Sequence, residues 1–231
     1  MCEGLGTNMR SGRHPTRGER PLNLLCASAP LRLCVKNDGL AGLALAGGEG
    51  RRFGGPKAWA TLPDGRTFLD ACAAALAGAG ARPLFATLPP GSEDPRIPGL
   101  EVLPLPRPGL DMFASLRFGL ERLLADPGWT RVAVLPVDHP LVRPATVGAL
   151  ATVSARAVIP SCRGKHGHPV VLDRDVAAGV ADGQLAGPVL RDVLRTVGAA
   201  TLEIDDPGVT ANCNTPDALA AAWAALQSLA T

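Results

Sequence analysis

From Gly39 onward, short apolar runs alternate with segments of helical period, and nothing else in the sequence constrains the fold as tightly. "LAGLALAG" reads as a buried strand. "TFLDACAAALAGAG" follows as a helix, with Thr67 and Asp70 spaced like a capping box and Gly78 and Gly80 at its end. "RPLFATL" and "EVLPL" read as strands. "DMFASLRFGLERLLAD" sets Phe113, Leu116, Leu120, Leu123 and Leu124 on one helical face. "RVAVLPV" is a strongly apolar strand that runs out at Asp138. Beyond it come a helix over "PATVGALATVSA", strands over "RAVIP" and "HPVVL", a helix over 187–197, an extended "AATLEID" and a final helix over 216–230. Strands and helices of these lengths in alternation predict an α/β fold, three-layered and Rossmann-like, around an open and mostly parallel sheet. There is no internal repeat.

The 231 residues suit one medium domain with a tail, 39–231 forming the domain. Residues 1–38 differ in kind: Arg10, Arg13, Arg17 and Arg20 lie among Gly, Ser, Thr and Pro without a sustained period, so a poorly ordered N-terminal extension is expected. A net charge of +2 and 3% aromatic residues give no support to nucleic-acid binding or to base-stacking platforms. No apolar run approaches the ~20 residues of a membrane span. "PLNLLCASAPLRLCV" loosely resembles a secretory core, but Pro30 and Arg32 interrupt it. Cys2, Cys26, Cys34, Cys72, Cys162 and Cys213 are scattered without a CxxC pair and read as reduced thiols of a cytoplasmic protein.

The chemistry is expected beyond the carboxyl ends of the strands. There "LAGGEGRRFGGPK" supplies a glycine-rich loop with Arg52 and Lys57. Its spacing fits neither common phosphate loop: Phe53 stands where the dinucleotide fingerprint needs a third glycine, and Pro56 stands where the P-loop needs glycine before lysine. Asp138 in "LPVDHPL" ends an apolar strand, and Asn214 in "NCNTPDAL" precedes a helix opened by Thr215 and Pro216. Together these residues suit a nucleoside triphosphate with an oxygen-ligated Mg²⁺, which takes few protein ligands. A phosphate oxygen as nucleophile is already anionic and needs no strong general base, so positioning and electrostatics can supply the rate.

These residues carry a resemblance. "LAGGEGRRFGGPK" is similar to the signature LAGG-x-x-x-R-(M/F)-G-x-x-K of GT-A-like nucleotidyltransferases, "VDHP" to their metal-binding D-x-P, and "NCNTPDAL" to their closing N/D-x-N/D-T-P-x-x-L. "GLDMFASLRFGL" and "GKHGHPVVL" resemble the molybdenum-cofactor cytidylyltransferase branch. The resemblance implies transfer of CMP, or GMP as in close relatives, from the triphosphate to molybdopterin phosphate, with release of pyrophosphate. It implies that Leu45, Ala46, Gly47 and Gly48 contact the nucleotide, and that Arg52 and Lys57 hold its phosphates. Asp138 and Asn214 would bind Mg²⁺, Ser115 would lie near the base or ribose, and His168 and Pro169 would face the acceptor. Gly50 replaces a frequent Ser, and Phe53 the usual Met. Gly48 and the Asn-x-Asn-Thr-Pro ending favour the guanylyl relatives, whereas the Ser115 and His168 segments favour the cytidylyl ones, so the base stays open. A molybdoenzyme that receives the product is the implied protein partner.

Taken singly, each feature has a plainer reading. Asp138 alone would be a turn or cap residue, Asn214 a helix cap, Ser115 a packing residue and His139 positional. Cys162, His166 and His168 could suggest zinc but lack a fourth ligand at the usual spacing. His166 and His168 are spaced to share one face of a strand. Two other functions fit the same motifs: nucleotidyl transfer to a sugar or polyol phosphate, and a non-catalytic nucleotide-binding module that delivers a cofactor.

Overall fold

The first strand, β1 (Leu40–Leu45), is buried at every residue, and its side chains divide by alternation between two cores. Leu40 and Ala44 enter one core; Ala41, Leu43 and Leu45 enter the other. The structure is a computed structural model that describes residues 39–228 apart from 49, 51, 52, 54 and 186. The expected extension over 1–38, Arg52, and positions 229–230 of the expected last helix lie outside the described residues.

Around β1 stand β2 (Leu84–Leu88), β3 (Leu100–Pro104) and β4 (Arg131–Pro136), all parallel. β5 (Ala157–Cys162), β6 (Lys165–His166), β7 (Val170–Asp173) and β8 (Ala200–Glu203) complete an eight-stranded sheet among the described residues. Its order is β3-β2-β1-β4-β7-β5-β6, with β8 beside β5. β7 runs antiparallel to β4 and β5, β6 antiparallel to β5, and β8 parallel to β5. One face is covered by α1 (Phe68–Gly78), α3 (Pro144–Thr152) and α6 (Pro216–Ser228). The other is covered by α2 (Met112–Leu123), α4 (Arg174–Ala181) and α5 (Leu190–Thr196). The expected three-layer, mostly parallel α/β architecture is present.

Local chemistry explains the boundaries. Both arms of the α1 capping box form: Thr67 accepts from the Asp70 N–H, and Asp70 accepts from the Thr67 N–H. Asp111 caps α2 by accepting from the Ala114 N–H at 2.7 Å. Glycine permits close approaches both between layers and between neighbouring strands. A Cβ on Gly119 of α2 would lie 2.9 Å from both Leu43 methyls, and one on Gly42 would lie 2.7 Å from a Leu84 methyl. Trp129, 1% exposed, fills the far end of the α2 side. Its indole N–H donates to the Leu123 carbonyl at 2.9 Å, and the Arg174 guanidinium lies 4.5 Å over its ring. Arg174 also donates to the carbonyls of Leu124, Asp126 and Trp129, so one residue closes the α2–β4 connection.

Two expectations need correction. Residues 174–181, left unassigned between the strand "HPVVL" and the expected helix over 187–197, form α4. His166 and His168 do not share a strand face. Between the pairs Ser161↔His166 and Val158↔Val171, three steps along β5 match five on the returning chain. His168 and Pro169 are thus displaced as a bulge between β6 and β7, joined by a cis peptide bond. His166 is exposed near the Thr201 hydroxyl, whereas His168 turns to the ring of His139.

Candidate active site

Asp138 owes its place to β4. The Val137 N–H donates to the Leu45 carbonyl at 3.0 Å, and the His139 N–H donates to that of Pro136 at 3.1 Å. This turn sets the Asp138 carboxylate beyond the adjacent ends of β1 and β4, where parallel sheets receive ligands. The Cys213 N–H donates to the Asp138 carbonyl at 2.8 Å, which brings the segment before α6 alongside. Thr215 caps that helix by accepting from the Ala218 N–H at 3.2 Å. Asn214 therefore reaches the end of the sheet from a distant part of the chain.

Lys57 joins the two. It opens a short 3-10 turn (Lys57–Trp59) after Pro56. Its ammonium donates to the Asn214 side-chain oxygen and lies 3.5 Å from an Asp138 carboxylate oxygen. Two hard oxygen donors thus converge on a single cation. That donor set, one carboxylate and one amide oxygen, fits Mg²⁺ or Mn²⁺, which keep waters and need few protein ligands. Among the described residues no group of three His, Cys, Asp or Glu side chains could hold a metal, so the zinc reading of Cys162, His166 and His168 falls away.

These groups border a cleft of about 340 Å³, a volume in the range of small-ligand sites. Leu45, Gly47, Gly48, Lys57, Ser115, Asp138 and Asn214 all line it. Ala46 does not: it is fully buried, and its N–H donates to the Thr87 carbonyl at 3.1 Å. The Ala46 side chain belongs to the core beneath the cleft. The loop needs glycine at two points. Gly50 has φ +58°, and a Cβ there would lie 1.9 Å from the Gly55 carbonyl oxygen; one on Gly47 would lie 2.4 Å from a Leu105 methyl. A Cβ on Gly48 would meet nothing within 4 Å, so that position faces open space.

Leu110 and Met112 also line the cleft and were not anticipated. The signal was available: Met112 lies one helical turn before Ser115, on the same face of α2. Met112 is 56% exposed, an unusual place for a large apolar side chain, and offers a surface for a flat ring. Ser115 is buried and donates to the Asp111 carbonyl at 2.9 Å, while its oxygen keeps acceptor capacity.

His168 and Pro169 are not among the residues that line the cleft. The rings of His139 and His168 stand 4.8 Å apart, and both Nδ1 atoms are buried without a hydrogen-bond partner among the described residues. Burial pushes His168 down to about 4, helped by His139 and opposed by Asp138. Burial likewise lowers His139, opposed by Asp138 and by the backbone at Gly208 and Val209. The thiols are inert: burial, then Asp138, raises Cys72 well above its ordinary range and Cys213 to about 11. Among the described residues the site thus holds no thiolate and no charged imidazole at neutral pH.

The neutral histidine pair gives a pH prediction. The unfolded chain takes up protons at His168 near 6.5, whereas the folded chain resists until about 4. Stability from the neutral ring is fully present above 6.5 and is lost as pH falls towards 4, on the order of 3 kcal/mol across that window. Thermal unfolding of His168→Gln should show a shallower fall of Tm over the same range, and an equally steep fall would contradict the assignment.

An open α/β sheet that ends in a glycine loop, a lysine and an aspartate defines the GT-A-like nucleotidyltransferase class. The chain belongs to the family of the MobA-like NTP transferase domain, whose model matches residues 42–203. Asn214 lies beyond that matched stretch. A probable molybdenum cofactor guanylyltransferase of Mycobacterium tuberculosis (strain H37Rv) is 37% identical over 119 residues, 52% of this chain and 57% of the relative. The chain thus spans little more than half the length of the curated relatives it matches. The crystal structure of Rv0371c from M. tuberculosis H37Rv is similar at TM-score 0.65 and 25% identity, covering 80% of this chain and 97% of that one. A complex of the same protein with manganese is similar at TM-score 0.59 and 23% identity, covering 80% and 97%.

Proposed function

We propose that the chain is a Mg²⁺-dependent nucleotidyltransferase that moves CMP or GMP from its triphosphate onto a molybdopterin-type phosphate and releases pyrophosphate. GTP is the donor favoured by the name of the curated relatives. The observation that carries this reading is the convergence of Lys57, Asp138 and Asn214 on one point of the cleft.

In this reading a phosphate oxygen of the acceptor attacks the α-phosphorus. The new P–O bond forms as the bond to the bridging oxygen of the β-phosphate breaks, and pyrophosphate leaves with that electron pair. Lys57 neutralises the triphosphate and charge developing on the leaving group. The glycine loop admits the phosphates close to the backbone, and Met112 and Ser115 border the space for base and sugar. Asp138 and Asn214 would hold the metal, which when bound supplies charge neutralisation and alignment of the reacting oxygens. The anionic acceptor needs no general base, in keeping with a site whose histidines stay neutral and whose thiols stay protonated. His168 and Pro169 shape the acceptor side. Arg52 belongs to the same proposal as a second phosphate-binding cation.

The test is pyrophosphate release by the full chain with CTP or GTP and Mg²⁺, with and without molybdopterin. Release that requires both nucleotide and molybdopterin is expected. Release with a sugar or polyol phosphate instead would reassign the acceptor. No release in any combination would sink the transferase reading in favour of a nucleotide-binding delivery module.

A further inference from the structure

Asp206 is buried to 1% exposure far along the chain from the cleft-lining residues of β1 and β4, and the chemistry above makes no use of it. Its carboxylate is nevertheless densely partnered. One oxygen accepts from the Thr146 hydroxyl at 2.5 Å and from the Arg143 N–H at 3.0 Å. The other accepts from the Gly208 N–H at 3.0 Å and lies 3.4 Å from the Arg143 guanidinium. Arg143 also donates to the Asp205 carbonyl at 3.1 Å. So many charge-assisted bonds to one buried carboxylate hold the 3-10 turn Pro207–Val209 against the start of α3.

Both ends of that turn lead to the site. On one side, Arg143 follows Asp138 by five residues, and a Cβ on Gly208 would lie 2.2 Å from the Leu141 carbonyl oxygen, so the two backbones touch. On the other side the chain runs from Val209 to Cys213, whose N–H donates to the Asp138 carbonyl, and then to Asn214. The segments after Asp138 and before Asn214 therefore form a closed loop, bonded at Asp206 and again at Cys213. The same turn also carries the acceptor-side bulge. The Val209 carbonyl accepts from the His168 N–H at 2.9 Å, and a Cβ on Gly167 would lie 1.9 Å from that carbonyl oxygen.

We infer that Asp206 is a positioning residue that sets Asn214 against Asp138 and, through Val209, places His168 on the acceptor side. This rests on the reading of Asn214 as a metal ligand. A direct hydrogen-bond partner of a metal ligand typically changes metal affinity by about 10–100-fold when removed; Asp206 acts one step further out, through the backbone, so the low end of that range is expected. The nucleotide end of the cleft, Gly47, Gly48 and Ser115, hangs on β1 and α2, and among the described residues no backbone hydrogen bond joins it to this turn.

The test compares full-length wild type, Asp206→Asn, Thr146→Val and Asn214→Ala by electron paramagnetic resonance titration of Mn²⁺ with GTP or CTP and no acceptor. Steady-state constants follow in the presence of acceptor. Asp206→Asn turns an acceptor into a donor facing N–H groups; Thr146→Val deletes a single bond and keeps the shape. Both should weaken Mn²⁺ binding, Asp206→Asn by about tenfold or more and Thr146→Val by less, and should raise the KM for the acceptor. At saturating metal the KM for the nucleotide should stay within about twofold. A purely structural role would lower Tm and leave Mn²⁺ affinity and the ratio of the two KM values unchanged, which overturns the inference. If Asp206→Asn does not fold, Thr146→Val decides on the same criteria. If Asn214→Ala binds Mn²⁺ as wild type does, the metal-ligand reading falls and this inference falls with it. If Asn214→Ala weakens binding and neither other variant does, only the positioning role is overturned.

Discussion

Asp138→Ala should reduce pyrophosphate release by about 10³-fold while the protein stays folded. The expectation follows from where the carboxylate stands. It is 8% exposed at the end of β4, 3.5 Å from the Lys57 ammonium, and shares that cation with Asn214. Its removal takes away the one carboxylate that lines the cleft among the described residues, where the proposed reaction would balance polyphosphate charge and metal. The fold should feel little, because Lys57 keeps Asn214 as an acceptor and the turn is held by backbone bonds through Val137, His139 and Cys213. A stability change of about 1 kcal/mol is expected from losing a partly exposed ion pair. Chelation of wild type by EDTA should reproduce the loss, and added Mg²⁺ should restore wild type but not the variant. A variant that keeps more than about a tenth of wild-type turnover would remove Asp138 from the chemistry.

Trp129→Ala should cost about 4 kcal/mol of folding stability, measurable by urea unfolding. The ring is 1% exposed, so truncation leaves a cavity that its surroundings cannot readily fill. The loss reaches beyond the ring, since the Leu123 carbonyl loses its donor and Arg174 loses the face it stacks on. Against a total of about 5–15 kcal/mol for a domain, this is a large fraction. A cost below about 1 kcal/mol would mean that Arg174 holds the α2–β4 connection without the indole.

Where a signal was local, the sequence revealed the structure. The Thr67–Asp70 capping box, the apolar period of α2 and the apolar run into Asp138 each lie within one element, and each element formed as expected. α4 escaped although Val176 and Val180 mark its buried face at i, i+4, because "RDVAAGVA" is only eight residues long and its cap, Asp173, is also the last residue of β7. The bulge at His168 escaped because strand register is a pairing between distant segments. The site shows the same limit. Lys57 meets Asn214 across 157 residues, which no periodicity encodes. Asp206 sits in "DDPG", a composition that reads as an exposed turn, and only the docking of Arg143 and Thr146 buries it.

The small residues of the layers bear on how such a sequence can change. At Gly119 helix α2 approaches the sheet, and at Gly42 strand β1 approaches the Leu84 side chain of β2, so closely that a single methyl group collides with Leu43 or Leu84. A larger residue is therefore acceptable there only if its neighbour shrinks in the same step. Evolutionary drift in this chain should proceed through paired exchanges, across the layers at Gly119 and across neighbouring strands at Gly42, and glycine acts at these two positions as a lock on spacing.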